Sequence, residues 1–283
     1  FLAALFYILR ALLHSAHREA KAFNRVVLQI LVPKERKLEG QNTQQSQTDR
    51  LEQVKEEIGI TETFFASVAG MRAQRGIMNW LRGRTDTFAF EMVMQNGLIS
   101  FYVDVPRRQQ GMLTEQIHAQ YPYAEIIEMT DYNIFHEKSA IIGAYLDDST
   151  AHSFPFRTYK KMDSDPLSAV LNVLSKMRDG NAAAAVQFVI RSAHKKWRRR
   201  GVYIVREVRK GKKFERIATQ KRLGRIWHAG VDTAKDMTIK PEKKESYQLS
   251  PMEEEMIKGI EEKSAKGGMD VTIRLLSVAD DKE

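Results

Sequence analysis

The stretch from Phe88 to Met129 constrains the fold of this chain more than any other. Phe88, Phe90, Met92 and Met94 alternate with smaller or polar residues, which is the period of a half-buried strand. Asn96-Gly97 follows, a dipeptide that tolerates positive φ at both central positions of a turn and so favours a two-residue hairpin. Ile99, Phe101, Val103 and Val105 mark the returning strand, and Pro106, which has no amide hydrogen for a ladder, ends it. Between Arg108 and Gln120, Met112, Leu113, Gln116 and Ile117 recur at helical spacing. Tyr121-Pro122 stops that helix, because the residue before proline is pushed out of the helical region. Ala124 to Met129 then reads as another strand.

Upstream, Val26 to Val32 is a short apolar run closed by Pro33, as expected of a buried strand. Thr61 to Met71 reads as a helix: Thr61 is a plausible cap, and Phe64, Phe65, Val68 and Met71 supply an apolar face. The glutamine-rich gap within 34–50 has no apolar period and is expected to be a surface linker. The order over 25–135 is therefore β-α-β-β-α-β, a ferredoxin-like unit with two helices on one face of a four-stranded sheet.

A second α+β pattern occupies 136–283. Ala140 to Leu146 is strand-like. Asp165-Pro166 opens a helix, with proline at its first position and Leu167, Val170, Leu171 and Leu174 expected to face inward. Gly180-Asn181 closes it, and Ala184 to Arg191 reads as a strand. Ser250-Pro251 with Glu253 and Glu254 is a strong helix start, with Met252, Met256, Ile257 and Ile260 as its apolar face. Gly267-Gly268 ends that helix, and Val271, Ile273 and Leu275 alternate in a last strand. The predicted class is thus α+β: two tandem ferredoxin-like sandwiches meeting near Tyr132 to Lys138, the second interrupted by a basic insertion over 193–249.

The basic character is local. Arg191 to Arg225 holds fifteen Lys or Arg and two acids, Glu207 and Glu215, a net of +13. The whole chain carries +9, so all other residues together sum to −4. Such a patch can neutralise phosphates by counterion release or meet an anionic membrane surface. Trp197, Tyr203 and Phe214 are interleaved with the cations and could stack on bases or form the apolar side of an amphipathic helix. Arg191, Lys195, Lys196, Arg198, Arg199 and Arg200 are the densest group and the candidate nucleic-acid contacts.

At the other end, Phe1 to Leu13 has twelve apolar residues of thirteen, interrupted by Arg10. A bilayer span takes about 20 residues, so this run is expected to be the cytoplasmic end of a membrane helix, followed by a juxtamembrane helix to residue 24. A buried or amphipathic helix is the alternative. Arg10, Arg18, Lys21 and Arg25 flank the run, as the positive-inside rule expects of a cytosolic side. The chain opens on Phe1 rather than Met, so a fragment or processed product is expected.

Catalytic patterns are weak. The 43% hydrophobic content is enough for real cores. There is no cysteine, which excludes disulfides, thiol nucleophiles and thiolate metal sites. Seven histidines, at 14, 17, 118, 136, 152, 194 and 228, show no metal-ligand spacing. Asp147, Asp148, Asp163 and Asp165 are explained by turn and cap chemistry. No G-x-S-x-G elbow and no G-x-x-x-x-G-K-[ST] phosphate loop occurs. No cofactor, metal or enzymatic activity is expected of these residues alone.

The run ISFYVDVP, the helix after it and QIHAQYPYAEI resemble the membrane-proximal region of type IV secretion or conjugation DNA-transfer ATPases. These are HerA/FtsK-type motors found mainly in candidate-phyla bacteria. The resemblance spans Val26 to about Ser277 and rests on packing and turn patterns. It implies an inner-membrane protein whose globular part is cytoplasmic, a homo-oligomer meeting other secretion-system components, with DNA as a candidate partner. The motor and its nucleotide site would lie outside these residues. Two alternatives stand beside it: a membrane-associated scaffold without nucleic-acid contact, and an RRM-like RNA-binding protein. RRM domains share the strand order, but the RNP pattern is absent, and Phe101 and Tyr102 point to opposite faces.

Overall fold

Asn96 and Gly97 both take positive φ, 53° and 74°, and close the tight turn between β2 (Phe88–Gln95) and β3 (Leu98–Pro106). The computed structural model that carries this hairpin describes residues 2–22, 24–33, 47–71, 73–130, 132–137, 139–148, 152–161, 166–176, 182–212, 217 and 249–280. Before the hairpin come α1 (Leu2–Ala22), β1 (Arg25–Leu31), α2 (Gln47–Gly70) and the short α3 (Ile77–Arg82). After it follow α4 (Gln110–Gln120), β4 (Glu125–Met129), β5 (Ser139–Leu146), α5 (Pro166–Lys176) and β6 (Ala183–Ser192). The remaining elements are α6 (Lys196–Arg209), α7 (Pro251–Ala265) and β7 (Met269–Asp280).

The α+β class stands, but the halves on either side of residue 135 do not keep separate sheets. All seven strands form one antiparallel sheet in the order β4-β1-β3-β2-β6-β7-β5. The junction is β2 against β6, in register from Phe88 opposite Ile190 to Met94 opposite Ala184. The physical reason lies in β2, where only Phe90 and Gln95 are not fully buried. A strand buried on both faces cannot be left with an open ladder edge, and pairing it with β6 removes two edges at once. The expected joint near residue 135 is likewise fastened to the sheet. Tyr132 stacks on Tyr102 with ring centroids 4.3 Å apart, and Ile134 is buried with Val93, Ala183, Ala185 and Val278.

The strand order is symmetric about the β2–β6 pair. β3 and β7 flank the centre, β1 and β5 lie outside them, and only β1 has a further neighbour, β4. One sheet face is covered by helices. Phe64 and Val68 of α2, with Leu113 and Ile117 of α4, pack on Val26, Leu28, Phe88, Val103 and Val105. Leu174 of α5 packs on Met92, Met94, Ala184 and Val186.

On the opposite face, one rung of paired residues runs across six strands: Gln29, Tyr102, Glu91, Gln187, Arg274 and Tyr145. Gln187 Nε2 donates to Glu91 Oε1 at 2.6 Å, and Arg274 Nη1 donates to Gln187 Oε1 at 3.1 Å. Burial raises the pKa of Glu91 above its ordinary value; the Gln187 hydrogen bond opposes the shift and the Asp104 charge adds to it. A carboxyl with a raised folded pKa gives stability that is whole below the unfolded value and lost as pH rises through the folded one. Glu91→Gln should therefore be more stable than the parent at neutral pH, with the advantage gone below about pH 4. Denaturant titrations at the two pH values measure this.

Several local expectations need correction. α2 begins at Gln47, far before Thr61, so the end of the expected linker is helical. Its Glu, Gln and Lys content favours helix even without a clean apolar stripe. Leu167 and Met252, assigned to buried faces, are exposed. The rest of the linker (34–46), Phe214 and most of the basic insertion, Asp163, Asp165, and the Gly180-Asn181 stop lie outside the described residues.

The compact units also follow a different division from 25–135 and 136–283. One comprises Phe1–Asp147, Thr158–Ala193 and Met269–Glu283, and so holds the whole sheet. The other comprises Asp148–Arg157 and His194–Gly268, the segment inserted between β6 and β7 together with a short upstream piece.

Candidate nucleic-acid interface

In the second unit, α6 and α7 pack through an apolar seam. Ile204, Val205 and Val208 of α6 are buried against Ile257 and Ile260 of α7, with Ile217 in the same cluster. α7 starts as its sequence demands: Ser250 and Glu253 form a reciprocal capping box, with Pro251 at the first turn. Glycine sets the closeness of the seam. A Cβ on Gly201 would run into Ser264 Oγ and lie 3.3 Å from Ile260 Cγ2. A Cβ on Gly268 would occupy the space of the Trp197 indole.

With one side of α6 buried, its cations gather on the other. Lys195, Arg199, Val202, Arg206 and Lys210 recur at spacings of three or four residues and all are exposed. The N-terminal end is the unusual part. Lys195 is the cap and Lys196, Arg198 and Arg199 fill the first turn, where there is no acidic residue and no side-chain cap. The helix dipole is positive there, so each cation costs about 0.3–1 kcal/mol in proportion to its exposure to that field. An anion bound at this end would relieve the cost.

The six residues that the sequence nominates divide into three kinds. Lys195, Lys196 and Arg199 are exposed on the α6 terminus. Arg198 and Arg200 tether the unit: Arg198 Nη2 donates to the Lys266 carbonyl at 2.9 Å, and Arg200 Nε donates to Ser153 Oγ at 2.9 Å. Arg191 is of a third kind. It belongs to β6 in the sheet unit, where its Nε lies 3.1 Å from Asp270 Oδ2. Arg206, Arg209 and Lys210 extend the basic stripe and are missing from the six, although helical spacing from Lys195 points to them.

The two ends of α6 differ in how their charge is met. At the C-terminal end, buried Glu207 receives Lys212 at 2.9 Å, Lys210 at 3.2 Å and Arg206 at 3.5 Å. Burial alone would raise its pKa, but the hydrogen bonds from Lys212 and Lys210 hold the carboxyl below its ordinary value. Arg209 pairs with Glu261 at 2.7 Å. Near Arg200, Lys263 Nζ donates to the carbonyls of His152 and Phe154, both at 2.9 Å. His152 is held below the usual histidine value by burial and then by the charges of Arg200 and Lys263, with Asp148 opposing.

A family model described as a domain of unknown function, DUF8128, matches residues 24–283. The chain belongs to that family. No curated protein and no solved structure matches it. The DUF8128 match starts directly before β1 and takes in all seven strands, α6 and α7, whereas α1 precedes it. Among the described residues of this DUF8128 chain, no group of three or more His, Asp or Glu could hold a metal ion. No described helix is long and apolar enough to cross a membrane.

On the sheet face opposite the helices, Tyr102 is stacked under Tyr132, so this central-strand ring is already occupied by an intramolecular partner.

Proposed function

We propose that this chain is the non-catalytic, membrane-proximal and DNA-handling region of a conjugation or type IV secretion-like DNA-transfer assembly, with α6 as its polyanion contact. One observation carries the DNA part: cations crowd the α6 N-terminus, where helix electrostatics oppose them and the first turn holds no acid. A binding surface for phosphate gives that arrangement a use. Contact would be to the backbone and independent of sequence. The resemblance carried by ISFYVDVP and QIHAQYPYAEI supports the setting; these residues depart from the motor family in having no phosphate-loop motif, so on this reading ATP hydrolysis belongs to a separate motor domain. α1, apolar and outside the DUF8128 match, is taken as the membrane-side element, with the globular part on the cytoplasmic face of a bacterial inner membrane.

The sheet is read as two ferredoxin-like halves related across β2–β6, the second without a counterpart of β4. β5 then presents an open edge bearing no charged residue, with Ile142 and Tyr145 exposed, and is the natural place for copies of the chain to join. The RRM-like alternative is less well supported, because Tyr102 is covered by Tyr132.

The deciding variant replaces Lys195, Lys196, Arg199 and Arg206 with Gln and keeps Arg198 and Arg200, which tether the unit. Affinity for short single- or double-stranded DNA should fall at least about tenfold at low salt, and the slope of log affinity against log salt should flatten by roughly 0.7–0.9 for each phosphate no longer neutralised. Unchanged affinity, or no DNA binding by the parent protein, would leave the scaffold reading in its place.

A further inference from the structure

We propose that α3 is a second membrane contact, seated with α1 on an anionic bilayer and inserting Ile77, Met78 and Trp80 at the boundary between headgroups and acyl chains. The proposal rests on the membrane-proximal placement above and adds to it a segment that no apolar run in the sequence reveals.

α3 is six residues long and buries none of them. Ile77 is 75% exposed and Met78 58%, an arrangement that water penalises and a lipid interface rewards. Glycines with positive φ, Gly76 at 106° and Gly83 at 77°, bound the helix at either end, so the backbone presents it as a separate short element. Trp80 is the side chain most favoured at the headgroup level of a membrane.

α3 is tied to α1 by Trp80. The Phe6 ring stacks on the Trp80 ring with centroids 5.4 Å apart and planes 19° apart. The Arg10 guanidinium lies 4.3 Å over the same ring, and its Nε donates to the Trp80 carbonyl at 3.3 Å. Arg10 interrupts the apolar run of α1, and this contact engages its charge beside an interfacial aromatic. Around it, Tyr7, Ile8, Leu9 and Leu12 are exposed on several sides of α1, so the helix presents no polar face to water over that stretch.

Charge selects the occupant. Residues 71–82 contain Arg72, Arg75 and Arg82 and no acid, and residues 1–24 contain Arg10, Arg18 and Lys21 against Glu19 alone; Arg84 and Arg25, which follow, are neutralised by Asp86 and Asp104 and add nothing to this count. Apolar side chains set among arginines fit a surface that is apolar inside and anionic at its rim, which is a bilayer carrying acidic lipids.

The test uses the 283-residue chain with vesicles of phosphatidylcholine and phosphatidylglycerol, and of phosphatidylcholine alone. The parent should co-sediment with the anionic vesicles and much less with the neutral ones. Ile77→Asp with Met78→Asp, both at exposed positions, should leave the circular dichroism unchanged and weaken vesicle binding at least about tenfold. Acyl-chain bromination should quench tryptophan emission in the parent, and Trp80→Phe should remove that quenching. Equal vesicle binding by the parent and the double Asp variant would overturn the role of α3 while leaving membrane binding through α1 intact. Equal binding of the parent to neutral and anionic vesicles would overturn the choice of lipid. No binding of the parent to either vesicle would overturn the membrane placement itself. A double Asp variant that instead dissociates a soluble oligomer would assign the patch to a second copy and overturn the proposal.

Discussion

Replacing Phe88 with Ala should cost about 3–5 kcal/mol of unfolding free energy, the largest effect of any single core truncation in the sheet unit. Phe88 is fully buried and lies opposite Ile190, where β2 joins β6, under the side chains of α2 and α4. Its ring fills space bounded by two strands and two helices. Those elements are held by their own ladders and cannot close over the cavity left behind, so the transfer and cavity costs add. Phe101→Ala is the internal control. Phe101 is 47% exposed although it lies on the same sheet face, so its loss should cost well under half as much. Denaturant titration by circular dichroism measures both. A Phe88→Ala cost below about 1 kcal/mol would mean that the β2–β6 junction is not a packed core.

Gly201→Val should disrupt the inserted unit selectively. Overpacking a tight helix contact usually costs about 1–3 kcal/mol and sometimes more. Here even a Cβ collides with Ser264 and crowds Ile260, before the two Val methyl groups are placed. α6 and α7 must part or turn, and the buried set of Ile204, Val205, Val208, Ile257 and Ile260 opens with them. Hydrogen exchange should show reduced protection across 196–209 and 251–265, while 88–106 and 183–192 keep theirs. Uniform loss across both sets would mean that the two units unfold as one. Because α6 displays the basic stripe, the same variant should also lose salt-sensitive DNA binding without the removal of any cation.

Much of the local structure can be read from residues. Asn96-Gly97 dictates its hairpin because both positions need positive φ, which these two residues reach at low cost. Ser250, Pro251 and Glu253 dictate the start of α7, since the cap uses atoms within one turn. The alternation in β2 and β3 picks out the face that the helices cover, but it implies a half-buried β2, and β2 is buried on both faces because β6, Tyr132 and Ile134 close over it. The cation density after Ile190 marks the unit on which the basic helix stands. What fails locally fails for a stated reason: the first turns of α2 are held by helix-favouring polar residues without an apolar stripe, and periodicity sees only the stripe.

The candidate site is legible as composition, not as arrangement. Six cations close together look equivalent in a sequence, and only contacts with Lys266, Ser153 and Asp270 separate Arg198, Arg200 and Arg191, which pair within their own units, from Lys195, Lys196 and Arg199. α3 is invisible for a related reason. Ile77, Met78 and Trp80 form too short a run to register as an apolar element, and their exposure depends on what packs elsewhere.

By itself the sequence determined the α+β class, the Asn96-Gly97 turn, the capped start of α7, the helix-facing side of β2 and β3 and the place of the basic insertion. All of these are set by interactions within a few residues. The tertiary structure alone decided that β2 pairs with β6, that the two halves share one sheet, and that a single rung from Gln29 to Tyr145 crosses six strands. Alternation tells which face of a strand is buried but carries nothing about which strand lies beside it. That choice is made by the removal of open edges and the filling of a common core between residues about a hundred positions apart.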